Sequence, residues 1–304
     1  MTKADIRKGL WVTLFVLPGL AVVVGIVLVP LFMSLYNSLF SWKQLLADRF
    51  IGLENFHKIF ATEPYRTRFF NAFGNNIRWF VVTMLVQNSI GLFFGYTLSR
   101  RIAGHGFYKR VFFIPVLFSI VAVGFLWSLY LKPTGLVNGF LILLGRKDLT
   151  RAWLGDQALA TYSIILVNIW RWVGFPSLVF LAAIDNVPVD CLEACHLDGA
   201  REGTVFWRII LPLIIPAVTV ITVLTIIGSL NVFEQIYTMA GLDGAPNFST
   251  DTIGTLFYRT AFGSVDSGNP EIGVGSAIGV VIYLLTFGAS LFSIAALRGR
   301  EVEA

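Results

Sequence analysis

Six long apolar runs most constrain what this chain can fold into. A helix rises 1.5 Å per residue, so about 20 residues cross the roughly 30 Å of hydrocarbon in a bilayer. The runs lie at about 10–38, 75–99, 108–131, 158–183, 209–236 and 272–297. They predict a single transmembrane domain over residues 1–304, an all-α polytopic membrane protein with six transmembrane helices. Only 13% of the residues are charged, about half the share of a soluble domain.

The basic residues indicate a lipid environment rather than nucleic-acid binding. The net charge is +5, but Lys and Arg lie mainly at the ends of the apolar runs, where membrane anchors are found. With an inside N-terminus, eleven Lys and Arg fall on each side of the membrane. The basic pairs at 100–101 and 109–110 favour that orientation only slightly. The first run is too long for the core of a signal peptide, so we expect it to remain as a span.

The sequence contains no recognisable catalytic centre. It has no GxxxxGK[ST] loop for ATP, and no paired carboxylates or Ser/His/Asp arrangement at credible spacing. Cys191, Cys195 and His196 are too few for a structural metal site. We therefore expect a chain that is not an enzyme and that binds no cofactor or metal itself.

The connecting segment, residues 184–208, interrupts the apolar chain with charges and a glycine. Residues 189–197 read as a short helix, Gly199 permits a left-handed turn, and a second helix follows into the fifth run. The predicted product is a helix–turn–helix at the membrane surface that offers its acids, Phe206 and Trp207 to water. The alternative is a solvated connection with no further role.

This segment resembles the EAA loop of permease subunits of ABC importers. Glu193-Ala194, Gly199, Ile209 and Leu211-Pro212 match Glu-Ala-Ala, three residues, Gly, nine residues, Ile-x-Leu-Pro, with Cys195 replacing the second alanine. The carbohydrate-type permeases, similar to those for maltose and glycerol phosphate, are also matched by GLENFHKIF (52–60), NNIRWF (75–80), GLVNGFL (135–141), VNIWRWVGFP (167–176) and FLAAIDNVPVDCLEACHLDGA (180–200). Residues 240–252 depart from that family, which has a tighter Gly-Gly-Pro there.

The resemblance implies a type I importer fold and a set of partners. The EAA segment would be a cytoplasmic helix that docks on a separate ATPase subunit, which binds ATP and Mg²⁺, and both termini would be cytoplasmic. The implied partners are a second permease, which we expect to be a different chain, two ATPase subunits, an extracytoplasmic sugar-binding protein and the bilayer of a bacterial inner membrane. The residues expected at the ATPase contact are Glu193, Ala194, Asp198, Gly199 and Phe206.

The same resemblance suggests where a sugar would pass. It nominates Asn168, Gly174, Thr225, Gly228 and Ser229, and the polar character of the runs adds Arg171 and Asn231, with Gln87, Asn88 and Glu234 as further candidates. Each could instead make a helix–helix hydrogen bond. A charge near the middle of a span is costly, so Arg171 should face a partner such as Glu234 or a watery path, unless it is purely structural or reaches the interface.

Three other functions remain open from the sequence. An ion-coupled transporter could use Arg171 and Glu234 as a relay, although no repeat between the two halves is evident. An ABC importer could carry a solute other than sugar, because EAA loops serve many importers. A membrane enzyme or scaffold is the third, and it lacks a catalytic cluster.

Overall fold

The computed structural model describes residues 3–43, 46–263 and 268–298, with the backbone alone for 3–10, His196 and Arg298. Helix dominates these residues. Helices α1–α9 are Lys3–Val23, Val29–Ser38, Glu54–Ala61, Tyr65–Val82, Asn88–Ser99, His105–Phe113, Ile120–Tyr130, Leu136–Leu143 and Ala160–Trp172. Helices α10–α17 are Gly174–Asp185, Val189–Leu197, Glu202–Val205, Leu211–Leu213, Ile215–Leu230, Glu234–Ala240, Ile253–Phe262 and Ile272–Arg298. Strands β1 and β2 are Phe40–Lys43 and Leu46–Phe50.

Short turns of other helix types extend several of these helices. The π-helical turns Val24–Leu28, Thr83–Gln87 and Phe206–Ile210 join α1 to α2, α4 to α5 and α12 to α13. The 3₁₀ turns are Ile114–Leu117, after α6, and Lys147–Leu149. Because a π turn only widens the helix locally, the chain stays helical through each of the three π segments.

Three helices are long and apolar enough to cross a membrane without a break. They are Trp11–Ser38, Tyr65–Ser99 and Ile272–Leu297. In the first, the most apolar window has none of its residues buried within this chain, so its side chains are free to contact lipid or another subunit.

The other three predicted spans are bent helix pairs. The bends are 94° between His105–Leu117 and Ile120–Tyr130, 43° between Ala160–Trp172 and Gly174–Asp185, and 68° between Glu202–Leu213 and Ile215–Leu230. Pro115, Pro176 and Pro216 lie within four residues of these breaks. Proline removes a helical N–H and clashes with the preceding turn, which accounts for a bend at each position. Counting each pair as one span gives the six spans predicted.

The sequence misplaced several boundaries. The second span begins at Tyr65, not 75, so part of the stretch between the first two predicted runs is helical. The fifth ends at Leu230, not 236, because Asn231–Phe233 leave the helix before α15. The β1–β2 hairpin was not expected in an all-α chain; its antiparallel pairing runs from Phe40 opposite Phe50 to Lys43 opposite Leu46.

The chain divides into two compact units. The first comprises Met1–Arg66 and Phe257–Val281. Within it, Asn55 Nδ2 donates to the carbonyls of Ser38 and Phe40, which fixes α3 beside the hairpin. Gly275 lies so close to Ala261 that an added Cβ would approach its Cα to 2.6 Å. The small residue therefore lets α17 pack directly on α16.

The second unit comprises Thr67–Leu256 and Ile282–Ala304, and it contains both candidate sites. One apolar cluster gathers side chains from the second to fourth spans and α15, including Trp79, Val123, Ile165 and Ile236. Another joins α10 to the fifth span, and the connecting segment packs onto it. Gly95 permits close contact of α5 with α10, because an added Cβ would lie 2.9 Å from the Ser177 carbonyl.

Candidate functional site

A cavity of about 400 Å³ lies among the second, fourth and fifth spans. Its wall is completed by Ile120 and by the chain from Asn231 to Gln235, where the fifth span ends. The polar side chains in the wall are Thr83, Gln87, Asn88, Asn168, Arg171, Thr225, Ser229, Asn231, Glu234 and Gln235. The aromatic side chains are Trp79, Trp172, Phe175 and Phe233. A concave site that combines apolar faces with a few polar groups is typical of small-molecule binding.

Hydrogen bonds between spans position several of these polar groups. Asn88 Nδ2 donates to Thr225 Oγ1 at 2.9 Å, and Asn168 Nδ2 donates to Gln87 Oε1 at 3.3 Å. Thr225 in turn donates to the Ile221 carbonyl at 2.7 Å. The Asn88–Thr225 and Asn168–Gln87 bonds are the helix–helix bonds that the sequence left as an alternative to cargo contact, and they use only part of each amide's capacity.

Two buried carbonyl oxygens of the wall lack a hydrogen-bond donor among the residues that the structure describes. Within the described part of the chain, nothing donates to Asn88 Oδ1 or Gln235 Oε1, although the two residues are only 6% and 2% exposed. A buried acceptor without a donor costs about 1–3 kcal/mol. Both residues line the cavity, so a hydroxyl or water inside it can satisfy them.

Six of the seven residues predicted for the path line the cavity: Asn168, Arg171, Thr225, Gly228, Ser229 and Asn231. Gly174 does not. Its backbone packs against the third span so closely that an added Cβ would lie 2.1 Å from the Phe112 carbonyl. Gly228 differs, because an added Cβ there meets nothing within 4 Å. The two glycines thus have different roles. Gly174 allows two spans to pack closely, whereas Gly228 leaves room in the cavity.

Arg171 is held by a broken span rather than by an acid. Its Nε donates to the Phe118 carbonyl at 3.2 Å, at the 94° break in the third span, and its guanidinium lies 5.4 Å from the Trp172 ring centroid. Glu234 also lines the cavity, yet the described residues contain no ion pair between it and Arg171. Of the possibilities left open for Arg171, the described residues therefore show the side chain facing the cavity, and not a direct ion pair with Glu234. The bend frees backbone carbonyls, and the arginine satisfies one of them.

The non-helical stretch of the wall is fixed by residues that the sequence analysis did not select. Asn76 Nδ2 donates to the Ser229 carbonyl at 2.6 Å while its Oδ1 accepts from Ile253 N at 2.9 Å. Thr252 Oγ1 donates to the Val232 carbonyl at 2.7 Å. Asn76 is fully buried, and the sequence offered two signals for it: an amide in an apolar run, and its place in the matched stretch NNIRWF (75–80). These bonds cap the end of α14 and hold the wall in place.

The connecting segment forms the expected helix–turn–helix. Helix α11 is Val189–Leu197, and Gly199 follows with φ 70°. Ala200 N donates to the Cys195 carbonyl at 3.0 Å, which closes the helix end. There is room for a Cβ at this position, because the nearest described atoms are more than 4 Å away. Glycine is required instead by the backbone angle, since it adopts this left-handed conformation without strain.

One side of this segment is attached to the transmembrane helices. Leu192, Cys195, Ala200 and Phe206 pack against the cluster that contains Phe180, Ile184 and Ile214. Cys195 therefore occupies a half-buried packing position, as a second alanine would. Helix α11 is therefore packed against the ends of the fourth and fifth spans.

The other side of the segment is exposed. Glu193, Ala194, Asp198 and Gly199 face out of the chain, and so do Val189 and Leu197, the latter 89% exposed. Val189, Glu193 and Leu197 are spaced four residues apart and share one face of the helix. Apolar and acidic groups on a common exposed face are suited to contact with another protein.

Phe206 corrects the prediction that both aromatic residues are offered to water. It is half-buried, with its ring 4.8 Å from Tyr96 in an edge-to-face contact, whereas Trp207 is 66% exposed. Phe206 thus joins the segment to the second span, and Trp207 is the aromatic residue that remains available.

A polar contact reinforces that junction. Arg100 Nη2 donates to Glu202 Oε1 at 2.7 Å, Arg100 Nη1 pairs with Glu202 Oε2, and Tyr96 Oη donates to Glu202 Oε2 at 3.2 Å. Hydrogen bonds to Glu202 and then to Tyr96 raise the pKa of Arg100 above its usual value. The end of the second span is therefore tied to the start of the helix that enters the fifth.

Comparison with known proteins identifies the family. Residues 87–303 match the family described as "Binding-protein-dependent transport system inner membrane component". The chain belongs to this family. The resemblance drawn from the EAA stretch is thereby confirmed, and the chain is a transport permease subunit.

Curated relatives match nearly the whole permease. It is 32% identical over 282 residues to the probable ABC transporter permease protein YurN of Bacillus subtilis (strain 168), covering 91% of this chain and 92% of that protein. It is 28% identical to AmyD of Thermoanaerobacterium thermosulfurigenes, a probable permease for starch degradation products, covering 98% and 97%. It is 30% identical to the diacetylchitobiose uptake permease NgcF of Streptomyces coelicolor, covering 92% and 80%.

Solved structures share the fold. A bacterial ABC transporter involved in import of the acidic polysaccharide alginate aligns with a TM-score of 0.79 at 23% identity, covering 97% of each chain. The MetNI methionine ABC transporter aligns at 0.53 and 13% identity, covering 79% of this permease and 99% of that chain. The predicted ABC importer permease architecture is confirmed.

Proposed function

We propose that this permease forms the transmembrane path for a sugar or oligosaccharide and is driven by separate ATPase subunits. The observation that carries the cargo assignment is the cavity with its two unpartnered buried acceptors, Asn88 Oδ1 and Gln235 Oε1. Sugar hydroxyls are hydrogen-bond donors that would satisfy such oxygens, and aromatic faces like those of Trp79 and Phe233 suit the apolar faces of a sugar ring.

The charge of the wall favours an uncharged cargo. Among the described residues, one cation, Arg171, and one carboxylate, Glu234, line the cavity together with neutral amides and hydroxyls. An anionic solute would need additional cations to offset the cost of removing its charge from water. The names of several relatives agree with this choice, since they refer to starch products, diacetylchitobiose, lactose, and trehalose and maltose.

The coupling assignment rests on the two-sided connecting segment. We infer that Glu193, Ala194, Asp198 and Gly199 contact the ATPase, because they are exposed beside apolar Val189 and Leu197. The inner face, including Phe206, would carry the movement into the second and fifth spans through its packing. Trp207 is added to the proposed contact, and Phe206 becomes a transmitting residue rather than a contacting one.

The remaining assembly follows from this assignment. The connecting segment and both termini would be cytoplasmic, ATP and Mg²⁺ would bind on the ATPase subunits, and a second permease would complete the path. An extracytoplasmic binding protein would deliver the cargo. One structural relative is an alginate transporter in complex with an alginate pentasaccharide-bound periplasmic protein, which supports this arrangement.

Reconstitution tests the function. The permease would be incorporated into proteoliposomes with its partner permease, ATPase subunits and binding protein, and uptake of labelled neutral disaccharides and trisaccharides would be measured. Uptake should require ATP and an active ATPase and should persist with a proton uncoupler. Uptake that continues with an inactive ATPase and stops with the uncoupler would indicate an ion-coupled transporter. ATP-dependent uptake of a non-sugar solute alone would overturn the cargo assignment.

A further inference from the structure

Helix α8, Leu136–Leu143, carries an apolar face that the transport path does not use. Leu136, Phe140 and Leu143 are 67%, 61% and 85% exposed. Their spacing of four and three residues places them on one side of the helix. Val137, about a quarter-turn around the helix from this face, packs against the apolar cluster of the second unit. One part of the helix surface therefore packs against the rest of the chain, and the face with Leu136, Phe140 and Leu143 is exposed.

The start of this helix is fixed against the end of the third span. Gly135 precedes it and lies so close to the last turn of α7 that an added Cβ would be 2.4 Å from the Tyr130 carbonyl. Five residues separate the end of α7 from the start of α8. Because α7 is the second half of the third candidate span, α8 begins just beyond the end of that span.

A buried amide fixes the same helix to the approach of the fourth span. Asn138 Nδ2 donates to the carbonyls of Pro133 and Arg151 at 3.0 and 2.8 Å, and Asn138 Oδ1 accepts from Trp153 Nε1 at 2.9 Å. Asn138 is 2% exposed, so these bonds are shielded from water. They hold α8 rigidly at the height where the third span ends and the fourth is about to begin.

The charges around the helix are mostly positive. Between residues 132 and 151 the chain has four basic residues and one acid, Asp148, which gives a net charge of 4 − 1 = +3. Arg146 and Lys147 lie three and four residues beyond the end of the helix and are exposed, and Arg146 Nε also pairs with Asp148 Oδ1 at 3.4 Å. A short helix with one apolar face and a basic surround at the membrane boundary is complementary to a surface of anionic lipid headgroups.

We propose that α8 is an interfacial helix that inserts Leu136, Phe140 and Leu143 among the headgroups and upper acyl chains of a bilayer containing anionic lipid. The bare face then meets lipid rather than water, and Arg146 and Lys147 lie against phosphate groups. The helix would fix the depth of the third and fourth spans, which bear the Phe118–Arg171 contact beside the cavity.

Spin-label accessibility tests the proposal. Leu143→Cys would be made with Cys191→Ser and Cys195→Ala, labelled with a nitroxide, and assembled with the partner subunits in nanodiscs of phosphatidylcholine and phosphatidylglycerol. The label should collide more with oxygen than with a water-soluble nickel chelate, at a depth of about 5–10 Å below the phosphates. Gln157→Cys, also exposed and just before α9, is the matched control and should respond mainly to nickel.

Each other result has a definite meaning. A Leu143 label that responds to nickel overturns the proposal, because the face is then open to water. A label shielded from both reagents also overturns it, because a protein subunit then covers the face. Nanodiscs of phosphatidylcholine alone should make the label shallower, and an unchanged depth would remove the role of anionic lipid. Phe140→Cys provides a second site on the same face if the first variant does not assemble.

Discussion

The connecting segment and the cavity are built in opposite ways. The segment's own structure lies within residues 184–208, although it also contacts the end of the second span through Phe206 and Glu202. A local motif of Glu193, Gly199 and Pro212 marks it in the sequence. The cavity draws on three spans and a non-helical wall, with residues as far apart as Thr83 and Gln235. The first site depends on a helix, a left-handed turn and a helix. The second depends on how the second, fourth and fifth spans pack together and on where the fifth span ends.

This difference predicts how the two sites respond to mutation. A change on the exposed face of the segment should leave the permease folded but reduce its coupling to the ATPase. A change at the cavity acts on packing or on cargo according to whether the residue touches a neighbouring span or open space. The five predictions that follow test this contrast, from the largest expected effect to the smallest.

Reversing the charge of Glu193 should have the largest effect. In Glu193→Arg, ATP-driven uptake should fall roughly a hundredfold, because truncating or opposing a charged contact at an interface costs about 2–5 kcal/mol. The amount of permease in the membrane should not change, since the side chain is exposed. Asp185→Arg makes the same charge change elsewhere in the segment and should retain most uptake. Equal loss in both variants would mean that net charge, not position, matters.

Gly174→Ala and Gly228→Ala should separate packing from cargo contact. The first should reduce the assembled complex about tenfold, because the added methyl group meets the Phe112 carbonyl. The second should assemble normally and lower uptake several-fold, because the methyl group enters the cavity. Immunoblots of membranes and uptake normalised to complex are the measurements. Full assembly of Gly174→Ala would contradict the close contact.

Arg171→Leu should lower uptake about tenfold, the effect of losing a charged hydrogen bond worth about 1.5 kcal/mol. The bond to the Phe118 carbonyl is lost beside the cavity. The amount of complex in the membrane should remain close to normal. If the complex itself disappears, the arginine is needed for the bent third span to fold, and the proposed part in the path is wrong.

Phe206→Ala and Trp207→Ala should affect different steps, each by a few-fold. Phe206→Ala removes a half-buried ring packed on Tyr96 and should lower the melting temperature of the purified complex, at a cost of about 1–2 kcal/mol. Trp207→Ala removes an exposed ring and should leave that temperature unchanged while weakening retention of the ATPase. Identical behaviour of the two variants would contradict the division into an inner and an outer face.

Arg100→Gln should have the smallest effect. The pair with Glu202 is about half exposed on both sides, and such pairs contribute about 0–1 kcal/mol. Uptake should fall by less than about fivefold, and the loss should shrink further in high salt. A loss as large as that of Glu193→Arg would show that this contact, and not the packing of Phe206, carries the movement.

The same contrast explains what the sequence could predict. Six apolar runs were enough for the number of spans, and the spacing around Glu193 was enough for the family and for the connecting helix, because both signals are local. The 94° break at Ser119 and the end of the fifth span at Leu230 depend on neighbours, so the runs appeared continuous. Gly174 was assigned to the path because a motif gives the position of a glycine but not the atom that it touches.

The most direct test is a crosslink from the connecting segment. In a background with Cys191→Ser and Cys195→Ala, Glu193→Cys would be placed in the assembled importer with single cysteines along the cleft of the ATPase. The account predicts a specific crosslink whose yield changes with bound nucleotide. It predicts no crosslink from Gln157→Cys, because Gln157 lies at the opposite end of the fourth span from the connecting segment. If Glu193→Cys gives no crosslink to the ATPase in any nucleotide state, the central claim that this helix receives the drive is contradicted.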